Sequence, residues 1–208
     1  MVTIYDVARL AQVSPATVSR VFNGTSVSAS KVEAVRRAAE QLRFTPNRTA
    51  RTLRRQSSEV IGLVIPDIEN PYFTEMARGV EDVASEAGYS VVLCNSDSQL
   101  EKEATYLQIA ISEHMSGVII ATADERSDLG GILATGRPVV AVDRSTTYDI
   151  DGVVMANRAA GASAAKDLID AGYRRIAYIG GPEHIDTAAE RAAGWRQALS
   201  AAHPDLDL

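Results

Sequence analysis

Two kinds of hydrophobic pattern divide the chain. In the first 45 residues, apolar side chains recur at intervals of three and four, which predicts short amphipathic helices. From Glu59 onward, short runs rich in valine and isoleucine alternate with longer amphipathic stretches. Such runs are typical of strands buried on both faces of a parallel sheet, with helices as the connections. The pattern therefore predicts an all-α head followed by a doubly wound α/β core with right-handed crossovers.

The head begins with two short helices joined by a tight connection. The first is predicted over residues 4–11, with Thr3 as its cap. The second carries a start signal in Ser14 and Pro15 and a stop signal in Gly24. Because three residues connect them, the pair is typical of a helix-turn-helix, whose second helix reads DNA.

The second helix has two different faces. Val18, Val21 and Phe22 fall on one side at helical spacing and are predicted to face a small core. The opposite face suits the major groove, where arginine pairs with guanine and asparagine with adenine. An ordinary surface helix would have the same spacing. The outward residues are Ala16, Thr17, Arg20 and Asn23.

A third helix and a basic segment complete the first part of the chain. The helix begins either at Ser28 or at a capping box formed by Ser30 and Glu33. The following basic segment, residues 46–55, is too short for a stable isolated helix. It is either a solvated linker or a segment that folds when DNA neutralises its arginines, with Leu53 as an apolar wedge in the minor groove. These arginines are Arg48, Arg51, Arg54 and Arg55.

Charge separates the same two parts. Residues 1–57 hold ten basic and three acidic side chains, a net charge of +7. Residues 58–208 hold eleven basic and twenty-four acidic side chains, a net charge of −13. This asymmetry indicates a polyanionic partner for the head only, because the acidic remainder would repel phosphates.

The whole-chain composition excludes several classes of protein. With 208 residues and 46% hydrophobic content, the chain is expected to be globular rather than disordered or fibrous. It has neither a signal-peptide pattern nor an apolar run long enough for a membrane helix, so we expect a cytoplasmic protein without a membrane partner. Its single cysteine, Cys94, excludes a disulfide framework. We expect neither a metal nor a cofactor.

Three motifs follow one another in the head: TIYDVA at residues 3–8, VSPATVSRVFNG at 13–24 and PNRTARTL at 46–53. In this order and spacing they resemble the head and hinge of the lactose-repressor (LacI/GalR) family of bacterial transcription regulators. The resemblance implies a homodimer on a pseudopalindromic operator, with paired hinge helices that insert Leu53 into the central base step. By position, Pro15, Ala16 and Arg20 would read bases, and Asn23 would be structural rather than groove-facing. The DNA-contacting set that the resemblance implies is Thr3, Tyr5, Pro15, Ala16, Thr17, Ser19, Arg20, Asn23, Asn47, Arg48, Ala50 and Leu53.

The core pattern predicts alternating strands and helices. Gly88 and Gly172 stand where helix ends favour a left-handed residue. Strands are predicted at 60–65, 91–94, 118–121, 139–142, 153–155 and 176–179, and helices near 72–87, 101–113, 126–134, 158–171 and 187–201.

A ligand site is expected beyond the carboxyl ends of these strands. Asp143 directly follows the fourth strand, and Tyr72 and Phe73 follow the first. Arg191 lies one helical turn beyond Thr187. Aromatic rings, a carboxylate and a guanidinium suit a sugar, since rings cover its apolar face and charged groups bind its hydroxyls. Each residue taken alone could equally be a loop cap or part of a surface ion pair.

The core resembles the effector-binding domain of the same family, which has a periplasmic-binding-protein-like fold. The resemblance rests on IGLVIP at 61–66, NPYF at 70–73, GVII at 117–120, PVVAVDR at 138–144 and GGP at 180–182. It implies that Tyr72 or Phe73, Asp143, Thr187 and Arg191 line the effector site. Many relatives have Asp-Asn where this chain has Ala156 and Asn157, which leaves the contribution of that loop open.

The chain is shorter than the family pattern, whose members exceed three hundred residues. The expected domains are residues 1–45 (head), 46–57 (hinge), 58–157 (first effector-binding subdomain) and 158–208 (start of a second subdomain that is largely missing). The sequence is then either a fragment or a truncated product.

We expect a repressor that a small carbohydrate effector releases from operator DNA. A solute-binding protein of the same core fold and a truncated regulator without effector control are the alternatives. An enzyme is not expected, because Gly130-Gly131 and Gly180-Gly181 lack the spacing of a nucleotide loop and the three histidines are scattered.

Overall fold

A computed structural model describes residues 2–23, 26–45, 58–124 and 126–203. They divide into two compact units at the boundary between Arg55 and Gln56. Of the predicted DNA-contacting residues, Asn47, Arg48, Ala50 and Leu53 lie outside the described residues, as does the predicted helix stop at Gly24.

The first unit consists of helices α1 (Ile4–Leu10), α2 (Pro15–Phe22) and α3 (Ala29–Gln41). Each packs against the other two around Val7, Val18 and Val35, which are fully buried. Ser28 precedes the first residue of α3, so the first of the two predicted starts is confirmed. The predicted helix-turn-helix is present, with α2 as its second helix.

Capping side chains define where the first two helices begin. The Ser14 hydroxyl accepts a hydrogen bond from the Thr17 N–H at 3.1 Å, as expected for an N-cap. The Asp6 carboxylate accepts from the Thr3 N–H at 2.9 Å and from the Thr3 hydroxyl at 2.7 Å. These two hydrogen bonds lower the pKa of Asp6.

The second unit is built on a parallel sheet with helices on both faces. Among the described residues, the sheet contains five strands in the order β2-β1-β3-β4-β5, and every neighbouring pair is parallel. The strands are β1 (Val60–Ile65), β2 (Ser90–Asn95), β3 (Gly117–Ile120), β4 (Val139–Asp143) and β5 (Asp151–Val154). The helices are α4 (Pro71–Glu86), α5 (Leu100–Ser112), α6 (Gly130–Leu133), α7 (Asn157–Asp170) and α8 (Asp186–Ala202).

Alternate residues of β1 face opposite layers, which confirms the doubly wound architecture. Leu63 and Ile65 pack in the cluster that contains Phe73 of α4. Val64 packs in the other cluster, with Leu107 of α5. The expected left-handed residues after α4 and α7 are also present, since Gly88 has φ +81° and Gly172 has φ +87°.

Two predicted elements differ from the structure. Residues 176–179 are not a strand: they pair with no strand among the described residues, and Ile179 is 98% exposed. A strand exists through its hydrogen bonds to a neighbour, which an apolar run alone does not supply. The predicted helix 126–134 is reduced to α6, which begins at Gly130, and the Gly130 N–H donates to the Asp128 carboxylate of the preceding loop at 2.8 Å. Within the described ranges, no helix is both long and apolar enough to span a bilayer.

Candidate functional site

The first candidate site is the exposed face of α2 in the head. Ala16 and Arg20 are exposed, whereas Pro15, Thr17 and Ser19 are half-buried. Arg20 has no hydrogen bond or ion pair with any other part of the chain that the structure describes. Its guanidinium is thus available to a partner, beside a side chain small enough for close approach.

Neighbouring polar groups of α2 are occupied within the helix. The Thr17 hydroxyl lies 2.9 Å from the Ser14 hydroxyl, and the Asn23 amide donates to the Ser19 hydroxyl at 3.1 Å. Helical spacing predicts that Asn23 faces outward with Arg20. In the structure Asn23 is half-buried at the end of α2, because its short side chain hydrogen-bonds one turn back to Ser19. On α1, Tyr5 is 67% exposed, and the exposed Thr3 binds Asp6.

The second candidate site is a cleft at the carboxyl ends of the strands in the second unit. It has a volume of about 600 Å³ and includes all five predicted effector residues: Tyr72, Phe73, Asp143, Thr187 and Arg191. Phe73 is buried in the cluster beside β1, so of the aromatic pair it is Tyr72 that is exposed to the cleft. The two rings meet edge to face, with centroids 5.2 Å apart.

Asp143 occupies the end of β4 in an unusual backbone conformation. Its φ is +64°, and the following N–H, that of Arg144, donates to the Val142 carbonyl at 2.7 Å. Burial, and then the charge of Asp143 and a hydrogen bond with its carboxylate, raise the pKa of Tyr72, while the Arg191 charge opposes this. The phenol of Tyr72 therefore interacts with both the predicted carboxylate and the predicted guanidinium.

Arg191 is oriented by a residue of the neighbouring helix. Its Nη1 donates to the Asn157 side-chain oxygen at 2.7 Å, and the Asn157 amide donates to the Met155 carbonyl at 3.2 Å. Asn157 begins α7, whereas Arg191 lies on α8, so the hydrogen bond depends on how these helices pack.

Reciprocal glycines bring α7 and α8 close together. A Cβ added at Gly161 of α7 would fall on the carbonyl oxygen of Arg191. A Cβ added at Gly194 of α8 would fall on the carbonyl oxygen of Arg158. Arg158 also forms a bidentate ion pair with Glu190, in which Nε donates to Oε2 at 2.8 Å and Nη2 donates to Oε1 at 2.9 Å. The glycines therefore permit the approach that places Arg191 beside Asn157.

Several cleft residues lie outside the predicted effector-binding set. Met155 lies beside the cleft, with its sulfur 3.6 Å from the Tyr72 hydroxyl. His184 and Arg144 also line the cleft. For Asn157, the available signal was its place at the start of a predicted helix facing the same strand ends. The composition of the Met155 and His184 loops offered no comparable signal.

Charge in the cleft is balanced. Asp67 and Asp143 oppose Arg144 and Arg191 among the lining residues. No group of histidine, cysteine, aspartate or glutamate side chains suited to a metal ion occurs in the residues that the structure describes. The geometry is that of a polar site with an aromatic wall, suited to a neutral ligand that carries hydroxyl groups.

Comparison with known families matches both units. Residues 3–47 match the family described as bacterial regulatory proteins, lacI family. Residues 58–204 match the family of periplasmic binding proteins and the sugar binding domain of the LacI family. The chain belongs to the LacI family.

Individual relatives agree with this assignment. The ribose operon repressor of Halalkalibacterium halodurans is 43% identical over 204 residues, which cover 96% of this chain and 60% of that protein. The crystal structure of the Lac repressor dimer bound to operator and the anti-inducer ONPF is similar with a TM-score of 0.83 at 30% identity. That match covers 96% of this chain and 62% of the repressor chain.

A third relative contains a ligand. It is the crystal structure of a periplasmic binding protein/LacI transcriptional regulator from Alkaliphilus metalliredigens in complex with D-xylulofuranose, with a TM-score of 0.65 and 33% identity. The match covers 72% of this chain and 55% of that chain. This LacI-family chain spans about three fifths of the length of the curated relatives it matches.

Proposed function

We propose that this LacI-family chain acts as an effector-responsive transcriptional repressor that binds operator DNA through α2. The observation that carries the proposal is the exposed, unpaired Arg20 beside Ala16 on the second helix of a helix-turn-helix. An arginine in this position can bind the O6 and N7 atoms of guanine in the major groove. The net charge of +7 in the first 57 residues supports binding to phosphates.

The same proposal assigns the cleft to a small, uncharged carbohydrate. Asp143 accepts hydrogen bonds from sugar hydroxyls, Arg191 donates to ring or hydroxyl oxygens, and Tyr72 covers an apolar face of the sugar. Phe73 and Thr187 contribute packing and a hydroxyl. The balanced charge of the cleft supports a neutral sugar over a sugar phosphate, which would require uncompensated cationic groups. The D-xylulofuranose complex of a relative supports the same class of ligand.

We propose a homodimer as the DNA-binding form, because helix-turn-helix proteins bind two half-sites related by symmetry. The outer edge of β2 supports this, since Val92 and Leu93 on this edge strand are 41% and 39% exposed. Exposed apolar edges of this kind are typical of interfaces. Leu93→Asp should shift the chain toward monomer in sedimentation analysis, and an unchanged dimer would exclude this edge.

The DNA-contacting residues outside α2 belong to the proposal as well. Thr3, Tyr5 and the polar residues of α2 bind phosphates or hold the helix, while Asn47, Arg48 and Ala50 contact DNA from the hinge. Leu53 enters the central base step, so Leu53→Ala should weaken operator binding and leave the isolated head folded. The proposed action on operator DNA implies a cytoplasmic location at the nucleoid and includes no catalytic step.

Selection of bound sequences from random double-stranded DNA tests this function. We expect enrichment of a two-fold symmetric site, and loss of enrichment when the effector is added from a panel of neutral aldoses and ketoses. Enrichment that no sugar reverses would favour a regulator without effector control. Sugar binding without any sequence enrichment would instead favour a solute-binding protein.

A further inference from the structure

Glu103 is a buried carboxylate that no role in the cleft explains. It lies on α5, is 1% exposed and does not line the cleft. Its carboxylate accepts from the backbone N–H of Ala123 at 2.6 Å and hydrogen-bonds with the side chain of Ser127. Burial raises the pKa of Glu103, which these hydrogen bonds oppose. A carboxylate in this position is retained only if its surroundings compensate the lost hydration.

Arg144 holds the same peptide segment from the opposite side. Its Nη1 donates to the carbonyl oxygens of Thr122 and Ala123, each at 2.5 Å. Its side chain is 12% exposed. Glu103 therefore binds the N–H side of the segment after β3, and Arg144 binds its C=O side. We call these two side chains, with residues 122 and 123 between them, the charge bracket.

The charge bracket compensates two buried charges through one stretch of backbone. Glu103 and Arg144 attract each other electrostatically, and each also forms hydrogen bonds with the intervening peptide groups. Loss of the Arg144 charge leaves Glu103 buried without the cation that lowers its pKa, whereas Arg144 keeps the attraction of Asp143 when Glu103 is lost. The loop after β3 is thus fixed to the residue that follows Asp143.

Asp143 needs such a restraint. A non-glycine residue with φ of +64° is disfavoured, because its Cβ approaches the following carbonyl group, and it persists only when neighbouring contacts hold it. Arg144 is the next residue in the chain, and its side chain binds the backbone of residues 122 and 123. The Arg144 Nε lies 3.9 Å from the Asp143 Oδ2, which is too long for a hydrogen bond but close enough for an ion pair between two nearly buried side chains, so Arg144 acts on Asp143 through both its charge and the backbone.

We propose that Arg144 and Glu103 are positioning residues that hold the Asp143 carboxylate in the wall of the cleft. Arg144 fixes the strained turn at the end of β4 to the loop after β3, and Glu103 fixes that loop to α5. This inference rests on the proposed function in one respect: the proposed function gives Asp143 a ligand to bind. It makes Glu103, a residue outside the cleft, a determinant of the cleft's geometry.

The phenol of Tyr72 reports the position of Asp143 without any ligand. The experiment follows the Tyr72 ring carbon by NMR during a pH titration of the 208-residue chain labelled with ¹³Cζ-tyrosine, assigned with Tyr72→Phe. Asp143→Asn provides the reference in which the carboxylate charge is gone. We expect Arg144→Gln to lower the pKa of Tyr72 by at least half of the decrease that Asp143→Asn causes.

The direction of the change separates positioning from simple charge removal. If Asp143 stays in place, loss of the positive charge of Arg144 disfavours the tyrosinate and raises the pKa of Tyr72. If Asp143 moves away, its negative charge no longer disfavours the tyrosinate, and the pKa of Tyr72 falls. Glu103→Gln, which keeps an acceptor for the Ala123 N–H, should lower it by a smaller amount. The matched control is Arg137→Gln, a half-buried arginine that contacts His114 and does not line the cleft.

Arg144→Lys covers the case in which Arg144→Gln does not fold, since lysine keeps the charge and can reach one carbonyl. A folded Arg144→Lys or Arg144→Gln chain with an unchanged or raised Tyr72 pKa overturns the proposal, even if its melting temperature falls. Failure of the proposed function gives a different result. The pKa of Tyr72 is still raised in the wild-type chain and still falls in the Arg144 variants, but no neutral sugar binds the full protein.

Discussion

The face of α2 and the cleft differ in how much of the chain is needed to build them. The α2 face is formed within about ten consecutive residues, and its caps lie next to it in sequence. The cleft joins residues near Tyr72, Asp143, Asn157 and Arg191, which lie on four different elements. A substitution on α2 should therefore act locally, whereas one in the packing of the second unit should move the side chains that line the cleft.

Their stabilisation differs as well. The head buries a small cluster around Val7, Val18 and Val35, so the loss of about 1 kcal/mol at one helix cap is a sizeable fraction of its stability. The second unit has one apolar cluster on each face of its sheet. The second unit is instead expected to be most sensitive to substitution where two helix backbones approach closely, as at Gly161 and Gly194.

The largest effect is expected where α7 and α8 cross. Gly161→Ala places a methyl group on the Arg191 carbonyl, so we expect a loss of about 3 kcal/mol in the free energy of unfolding of the second unit. Urea denaturation followed by the fluorescence of Trp195, the single tryptophan, measures it. The head should keep its NMR shifts.

The control for this prediction is Gly79→Ala on α4, where nothing lies within 4 Å of the added Cβ. Alanine should stabilise that helix by about 0.5–1 kcal/mol, because glycine loses more backbone entropy on folding. Equal destabilisation by both substitutions would contradict the close-approach explanation.

The same difference decides how much the sequence could predict. The three head helices and the Ser14 cap follow from short-range spacing, and the structure confirms them. The rule that ligands bind at the carboxyl ends of parallel strands brings Asp143 and Tyr72 to one edge. Of the six predicted strands, the first four match β1 to β4 within one residue at each end, while β5 begins two residues earlier than predicted.

What the sequence could not predict depends on contacts between distant residues. Residues 176–179 have a strand-like composition but no paired neighbour in the described part of the chain. The pairing of Arg191 with Asn157 depends on the crossing of two helices. Glu103 did carry a signal, since it shares a helical stripe with the buried Leu107 and Ala110. A lone carboxylate on an apolar stripe indicates a buried polar contact, although not its partner.

The next largest effect tests the local character of α2. Arg20→Ala should cost roughly 1–3 kcal/mol at the selected operator and relax the preference at one base pair. Arg37→Ala removes the same charge from an exposed site on α3 that is paired with Glu33, and should weaken all sequences slightly and equally. Titration of operator and random duplexes at one salt concentration measures both. An equal loss on random DNA from Arg20→Ala would mean that Arg20 contacts phosphate only.

A smaller effect is expected at the start of α2. Ser14→Ala removes the acceptor of the Thr17 N–H and should destabilise the head by about 1 kcal/mol. Ser28→Ala is the matched control, because Ser28 precedes α3 without a side-chain hydrogen bond to its backbone. Thermal melting of head NMR signals compares the two. A Ser28 variant as destabilised as the Ser14 variant would show that the cap hydrogen bond is not the cause.

The smallest effect concerns Asp6, whose pKa is lowered by the hydrogen bonds from Thr3. A carboxyl group with a lowered folded-state pKa stabilises the folded head above its unfolded pKa of about 3.9, and this contribution is lost as the pH falls further. The melting temperature of the head should therefore decrease below about pH 4, and the decrease should be smaller in Asp6→Asn. Because Asp6 and Thr3 both belong to the start of α1, the Trp195 signal of the second unit should not respond to Asp6→Asn at any pH. A change in that signal would contradict the local behaviour that distinguishes the head from the cleft.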